Sequence, residues 1–316
     1  MAVKFSRSDM DKSTIFPQLG VLIDIINEGD SYSSNLQHAS NLLTKIRKTR
    51  EESKVIALSK LLPSYIEYHQ SQFELKGYTE DVLHRRVQLL EDYYRKYDAL
   101  DMDALFSSQG KFRSTVLEEF MTYIFIDYVK EIKTKYNDPF GELGVLFNGA
   151  SKSYTNMYVS PTDIEDFIKN PQMGVNEKDQ DYAIFRKVKI KIDDAPKAVM
   201  ANIPILAIEN KTFLDKTMLD GAIATAEKVK TGNPYALYLV VTETYDVGLD
   251  VDPVYSKIDQ IYVLRKCKRD RSNHAPAPID PEIVIRMFEK VKRHFERPWS
   301  KIQERLEDWG EIMYNH

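Results

Sequence analysis

Apolar positions in the first hundred residues recur at spacings of three and four, first at Leu42, Leu43 and Ile46, then at Val55, Ile56, Leu58, Leu61, Leu62 and Ile66. That period marks one face of a helix, so both stretches are predicted as amphipathic helices, the second starting at Ser53 or at the Glu51-Glu52 pair. A third helix is predicted from Thr79 to Tyr97, just after Gly77, with Val82, Leu83, Val87, Leu89, Leu90 and Tyr94 as its apolar positions. A fourth, Phe112 to Lys133, holds Glu118 and Glu119 beside Leu117, Phe120 and Ile124. From about Gly144 the pattern changes. Gly, Asn, Pro and Ser become frequent and apolar residues come in short runs, which predicts strands at Asp181 to Ile192, Ile203 to Thr212, Tyr235 to Thr242 and Gln260 to Lys266. Between the second and third of these, Thr217 to Lys230 is predicted as a helix, with Thr217 as N-cap, Asp220 three residues on, and Gly232 and Pro234 as its stop. Two closing helices, Glu282 to Phe295 and Trp299 to Trp309, follow the link at Pro276, Pro278 and Pro281. The expected architecture is α/β (α+β), with a helical lobe over residues 1–105 and a mixed-sheet core with flanking helices over 106–316.

Composition narrows the function classes. The 316 residues are 43% hydrophobic and 29% charged, enough to bury a large core and too apolar for a disordered chain. The single cysteine, Cys267, excludes an internal disulfide and a thiolate metal cage. The start, MAVKFSRSDMDK, has no apolar stretch, and the longest apolar run, Tyr235 to Val241, is too short to span a bilayer, so no membrane contact is expected. With 44 basic against 48 acidic residues the net charge is −4, and any nucleic-acid contact must come from local patches.

The sharpest chemical signal is Ile205-Leu-Ala-Ile-Glu209-Asn-Lys211-Thr212, an apolar strand ending in Glu-x-Lys. Strand alternation brings Glu209 and Lys211 out on one face of an otherwise buried element. Three similar triplets, at Glu52, Glu74 and Glu131, lie in helical patterns, where positions i and i+2 do not face each other. A second strand carrying Asp181 could set another carboxylate beside Glu209. Two carboxylates and a lysine at strand ends suit metal-assisted phosphodiester hydrolysis. Asp181, Glu209 and a backbone carbonyl near Asn210 would supply oxygen ligands to Mg²⁺, while Lys211 holds or helps deprotonate the attacking water. The competing reading is an ordinary surface ion pair between Glu209 and Lys211.

Several motifs in order carry a resemblance. They are Phe112-x-Ser114 with Leu117-Glu-Glu119-Phe120, Lys178-Asp-Gln-Asp181, Ala207-Ile-Glu-Asn-Lys-Thr-Phe-Leu-Asp-Lys-Thr-Met-Leu219, Gly232-Asn-Pro, Gln260-Ile-Tyr-Val-Leu-Arg-Lys266 and, in the lobe, His38-Ala-Ser-Asn-Leu-Leu. Together they resemble type II restriction endonucleases of the PD-(D/E)xK superfamily, in particular the two-subunit enzymes that cut CCTNAGC-like sites, the BbvCI relatives. The resemblance implies a restriction-endonuclease-like fold and a cytoplasmic enzyme of a prokaryotic cell. It also implies Mg²⁺-dependent cleavage of double-stranded DNA at a specific short site, leaving 5′-phosphates. The catalytic elements fall on Asp181, Glu209 and Lys211, and a further acid on the core's first helix matches Glu119 better than Glu118. Gln180 stands where the motif has proline, and 28 residues separate the two acids (209 minus 181), so Asp179 stays a rival for the first. The resemblance implies a second nuclease subunit, non-identical, or identical as a homodimer. Alternatives are a non-cleaving DNA-binding or regulatory subunit with this fold, and a repair-type metal-dependent nuclease.

Basic residues gather around Arg186, Lys187, Lys189 and Lys191 and between Ser256 and Arg271, where six basic residues face two acidic ones. Arg186, Lys189, Arg265, Lys266 and Lys268 are therefore expected at DNA phosphates, with Lys216 after the catalytic strand and Lys152 in Ser151-Lys-Ser-Tyr-Thr-Asn-Met-Tyr158. Asn156 in the same stretch is a candidate base reader.

Overall fold

The computed structural model describes residues 12–31, 36–106, 112–136, 146–169, 172–191, 198–269, 277–297 and 307. Its helical lobe comprises α1 (Leu19–Ser31), α2 (Gln37–Lys48), α3 (Glu52–Glu74), α4 (Glu80–Ala99) and the short α5 (Met102–Leu105). α4 shows how sequence sets these boundaries. Thr79 caps it by accepting from the Val82 N–H, Glu80 and Asp81 lie in its first turn, and Leu83, Val87, Leu90, Tyr94 and Tyr97 bury one stripe.

Next come α6 (Ser114–Lys135), β1 (Leu146–Val159), α7 (Ile164–Lys169), β2 (Met173–Ile190) and β3 (Val199–Leu214). They are followed by α8 (Lys216–Gly232), β4 (Leu237–Tyr245), β5 (Gln260–Val263) and α9 (Pro281–Glu296). The strands form one sheet in the order β1-β2-β3-β4-β5. The first three pair antiparallel, while β3, β4 and β5 pair parallel, with α8 as the crossover from β3 to β4. The expected mixed sheet flanked by helices is thus present.

Because side chains alternate, the sheet has two differently covered faces. Tyr182, Ile184, Leu206, Ile208, Leu237, Leu239 and Val241 join the large core that includes α6, α9 and the helical lobe. Phe125 of α6 stacks on Tyr182 at 5.6 Å and on Phe288 of α9 at 5.8 Å. On the other face, Ala207, Tyr238 and Val240 pack against Leu219, Ala222, Ala226 and Val229 of α8. Small residues on α8 let it lie close to the sheet. At its last turn the approach is tight, since a Cβ on Gly232 would stand 2.5 Å from the Thr155 carbonyl oxygen of β1.

Several boundaries differ from the sequence expectation. The cap of α8 is Asp215, whose carboxylate accepts from the Met218 N–H at 2.8 Å, not Thr217. A charged carboxylate where the strand ends outcompetes a hydroxyl two residues into the helix. β2 begins at Met173, eight residues before Asp181, and β5 stops at Val263 because Lys266 turns with φ of 48°. α1, α5, β1 and α7 were not anticipated. The expected Trp299 to Trp309 helix lies outside the described residues, apart from residue 307.

Candidate active site

β2 and β3 pair through Tyr182–Ile208 and Ala183–Ala207, and just beyond these pairs Asp181, Glu209 and Lys211 emerge on the face of Ala183 and Ala207. The Lys211 Nζ donates to Glu209 Oε1 at 2.5 Å. The Asn210 N–H donates to Asp181 Oδ2 at 2.7 Å, which ties the first acid to the strand bearing the other two groups. All three side chains are half-buried. Burial works to lower the Lys211 pKa, but the carboxylates of Glu209, Asp181 and Glu118 outweigh it and hold the ammonium above its ordinary value. Tyr238 of β4 lies fully buried on the same face. Burial first, then the charges of Glu209 and Asp181, push its phenol well above the tyrosine range.

Two expectations are corrected by geometry. Glu119 does not face this cluster. It is buried in the lobe-side core, where it accepts from the Ala39 N–H at 3.0 Å, the Tyr65 hydroxyl at 2.8 Å and the Tyr123 hydroxyl at 2.7 Å. Adjacent helical positions diverge by roughly 100°, so its neighbour Glu118 is the α6 carboxylate whose charge reaches Lys211. Periodicity could not choose between them, because α6 is buried on every side from Thr115 to Phe125. Arg265 is likewise no DNA contact. It is 4% exposed and binds Glu243 at 2.9–3.0 Å, Glu91 at 2.8 Å and the Ala277 carbonyl at 2.6 Å. Glu243 also takes Arg113 of the α6 N-terminus at 3.1 Å. Burial would raise its carboxyl, and the two guanidiniums reverse this to hold it below the usual range. Removing one partner of such a buried pair costs about 3–5 kcal/mol, so Arg265 clamps the fold together.

The remaining basic candidates are exposed, but not all are near the acids. Lys152 pairs with Asp179 across β1 and β2 and so shares the face of Asp181, and Lys216 opens α8 directly after β3. Asn156 lies further out on the same pair of strands, opposite Asn176. Arg186 and Lys189 sit five and eight residues along β2 from Asp181 in the other direction. Lys266 is ion-paired with Asp280, and the Lys268 backbone bridges to Tyr245, the last residue of β4. The Asn210 side chain points to the opposite, α6-covered face and is 2% exposed, so its part at the acids is its backbone N–H.

Two carboxylates on neighbouring strands are the oxygen donors that suit a hard cation keeping several waters, and Lys211 is ion-paired with one of them, Glu209. Among the described residues no cage of three or more His, Cys, Asp or Glu side chains is assembled, nor is any helix long and apolar enough to cross a membrane.

A mixed sheet with an antiparallel β1-β2-β3 meander, parallel β3-β4-β5 pairing and helices on both faces is a restriction-endonuclease-like fold, and the protein is a type II restriction endonuclease. The model of the Bpu10I restriction endonuclease family matches residues 109–277, just over half of the chain, and the chain belongs to that family. A solved structure described as the native BbvCI A2B2 tetramer at low resolution is similar in fold, with a TM-score of 0.58 and 22% sequence identity over 82% of this chain and 95% of that one. None of the curated proteins matches.

Proposed function

We propose that Asp181, Glu209 and Lys211 form the hydrolytic centre, with Mg²⁺ as its cofactor, for cleavage of one strand of duplex DNA at a specific short site to leave a 5′-phosphate. The observation that carries this reading is the convergence of the three side chains on one face of β2 and β3, joined by the Lys211–Glu209 and Asn210–Asp181 hydrogen bonds. Asp181 and Glu209 would hold the cation, and Glu118 would extend the acidic ring from α6. When bound, the cation supplies Lewis-acid polarisation of the scissile phosphate and neutralises its charge. Lys211 remains protonated under the influence of its three carboxylate neighbours. Its ammonium donates to the attacking water, orienting it, and stabilises negative charge as the phosphorus becomes five-coordinate; the water's proton passes to solvent, the P–O3′ bond breaks, and the 3′ oxygen leaves as a hydroxyl after taking a proton from solvent. Lys152 and Lys216 hold flanking phosphates.

One such centre cuts one strand, so a double-strand break requires two. The BbvCI structure is described as an A2B2 assembly, and we take a non-identical nuclease chain to be the partner here, with an identical chain on a palindromic site as the alternative. The test is plasmid DNA incubated with Mg²⁺ or with EDTA. Glu209→Ala and Lys211→Ala should each lose cleavage by about a thousandfold or more while retaining duplex binding. Undiminished cleavage by either variant would remove the catalytic assignment. Site-specific nicks from the chain alone, becoming double-strand breaks with a second chain, support the heteromeric reading.

A further inference from the structure

Beyond Lys211, β3 continues to Phe213, whose ring carries a cation from another element: the Arg269 guanidinium lies 3.6 Å from its centroid. Two residues along a strand span about 6.6 Å, so this stacking brings a second positive charge close to the Glu209–Lys211 pair. The backbone fixes where the arginine starts. After β5 the chain returns to the end of β4, where the Tyr245 N–H donates to the Cys267 carbonyl at 3.1 Å and the Arg269 N–H donates to the Tyr245 carbonyl at 2.9 Å. Phe213 and Leu214 pair with Thr244 and Tyr245, so the side chain crosses the end of β4 to reach β3. Stacking covers a face of the planar guanidinium and leaves its N–H donors at the edge. Among the described residues none of these donors makes a hydrogen bond. The Asp246 carboxylate is 3.7 Å away, too far for one. The side chain is 35% exposed, which opens those donors to solvent.

An arginine held flat on a ring with its donors unspent is preorganised for a bidentate oxygen acceptor, and a phosphodiester is such a group. Its place says why that anion arrives. Cleavage seats one phosphate at Asp181, Glu209 and Lys211, and the same strand carries further phosphates away at about 3.4 Å of duplex axis each. The step from Lys211 to Phe213 therefore corresponds to roughly two nucleotides. We propose that Arg269, laid on Phe213, binds a DNA backbone phosphate within one or two nucleotides of the cleaved bond. This rests on the hydrolytic reading above. The competing role is a loop anchor, in which Arg269 serves only to pair with Asp246.

The experiment uses the full chain and a mixed-sequence duplex in Ca²⁺, with affinity measured from about 50 to about 300 mM salt. Arg269→Gln should reduce the slope of log affinity against log salt by about 0.9, the contribution of one neutralised phosphate. Arg269→Lys keeps the charge and loses the stacked fork, so its slope should stay at the parent value while affinity falls several-fold. Asp246→Asn removes the competing partner and should leave the slope unchanged. An unchanged slope in Arg269→Gln would overturn the proposal. So would an equal fall in Asp246→Asn, which is what a loop anchor predicts, or an equal fall in Arg269→Lys, which would trace the effect to altered structure. Glu209→Ala separates this proposal from the reading beneath it. Plasmid cleavage in Mg²⁺ retained by that variant refutes the hydrolytic centre whatever the slopes show, whereas cleavage lost there beside an unchanged slope in Arg269→Gln overturns the phosphate contact alone.

Discussion

Asp179 and Asp181 alternate onto the same face of β2, yet only Asp181 accepts the Asn210 N–H, and its charge is among those that hold Lys211 protonated. Asp179 is exposed and pairs across the strands with Lys152. Asp181→Ala should therefore be as severe as Glu209→Ala, about a thousandfold in cleavage rate, while Asp179→Ala stays within a few-fold. Equal losses in the two variants would show that the first acid is shared. The α6 pair separates in the same way. Glu118→Gln should lower the cleavage rate and leave the melting temperature in place. Glu119→Gln should cost about 1–3 kcal/mol of stability, by disturbing three buried hydrogen bonds, with cleavage per folded molecule retained. Denaturation curves and rates measured on the same preparations distinguish these outcomes.

At the scale of elements, α8 depends on its two ends: the Asp215 cap and the close passage of Gly232 against β1. Gly232→Ala should destabilise by about 1–3 kcal/mol, since the carbonyl it meets belongs to backbone and cannot swing aside. A melting temperature equal to that of the parent would contradict that contact. In the lobe α2, α3 and α4 were legible, as were β3, β4 and α9, because each carries a strong apolar period, whereas α1 and the short α5 were not read. β1 was not, because its sequence, LFNGASKSYTNMYV, is polar and broken by bulges near Gly149 and Tyr154. Its existence follows from pairing with β2, which no local pattern records. Of the candidate site, the Glu-x-Lys strand was readable from alternation, and the motifs supplied Asp181. The inward acid of α6 was hidden because both neighbouring glutamates are buried, and Arg265 was misplaced because counting charges cannot see Glu243 arriving from β4.

For the whole molecule, the lobe and sheet share one continuous hydrophobic core, and buried histidines link its stability to pH. Burial pushes His38 down to about 3 and His69 down to about 4, from 6.5 in the unfolded chain. Both are neutral when folded, so below pH 6.5 the unfolded chain binds protons that the folded one does not. Their contribution is complete above pH 6.5 and is lost as the pH falls, at about 1.4 kcal/mol per pH unit for each histidine until its folded pKa is reached. Glu119, whose carboxyl burial raises, opposes this in part by taking up its proton in the folded state. Urea unfolding should show lower stability at pH 5 than at pH 7, with a shallower dependence in His69→Gln. A flat profile would mean that these imidazoles titrate normally. The divergent glutamates of α6 bear on how such enzymes can be recombined. Splicing this lobe to another nuclease at residue 105 or 106 would part Glu119 from Ala39 and Tyr65, two of its three donors, on the very helix that aims Glu118. Functional chimeras should therefore inherit residues 39–123 from a single parent.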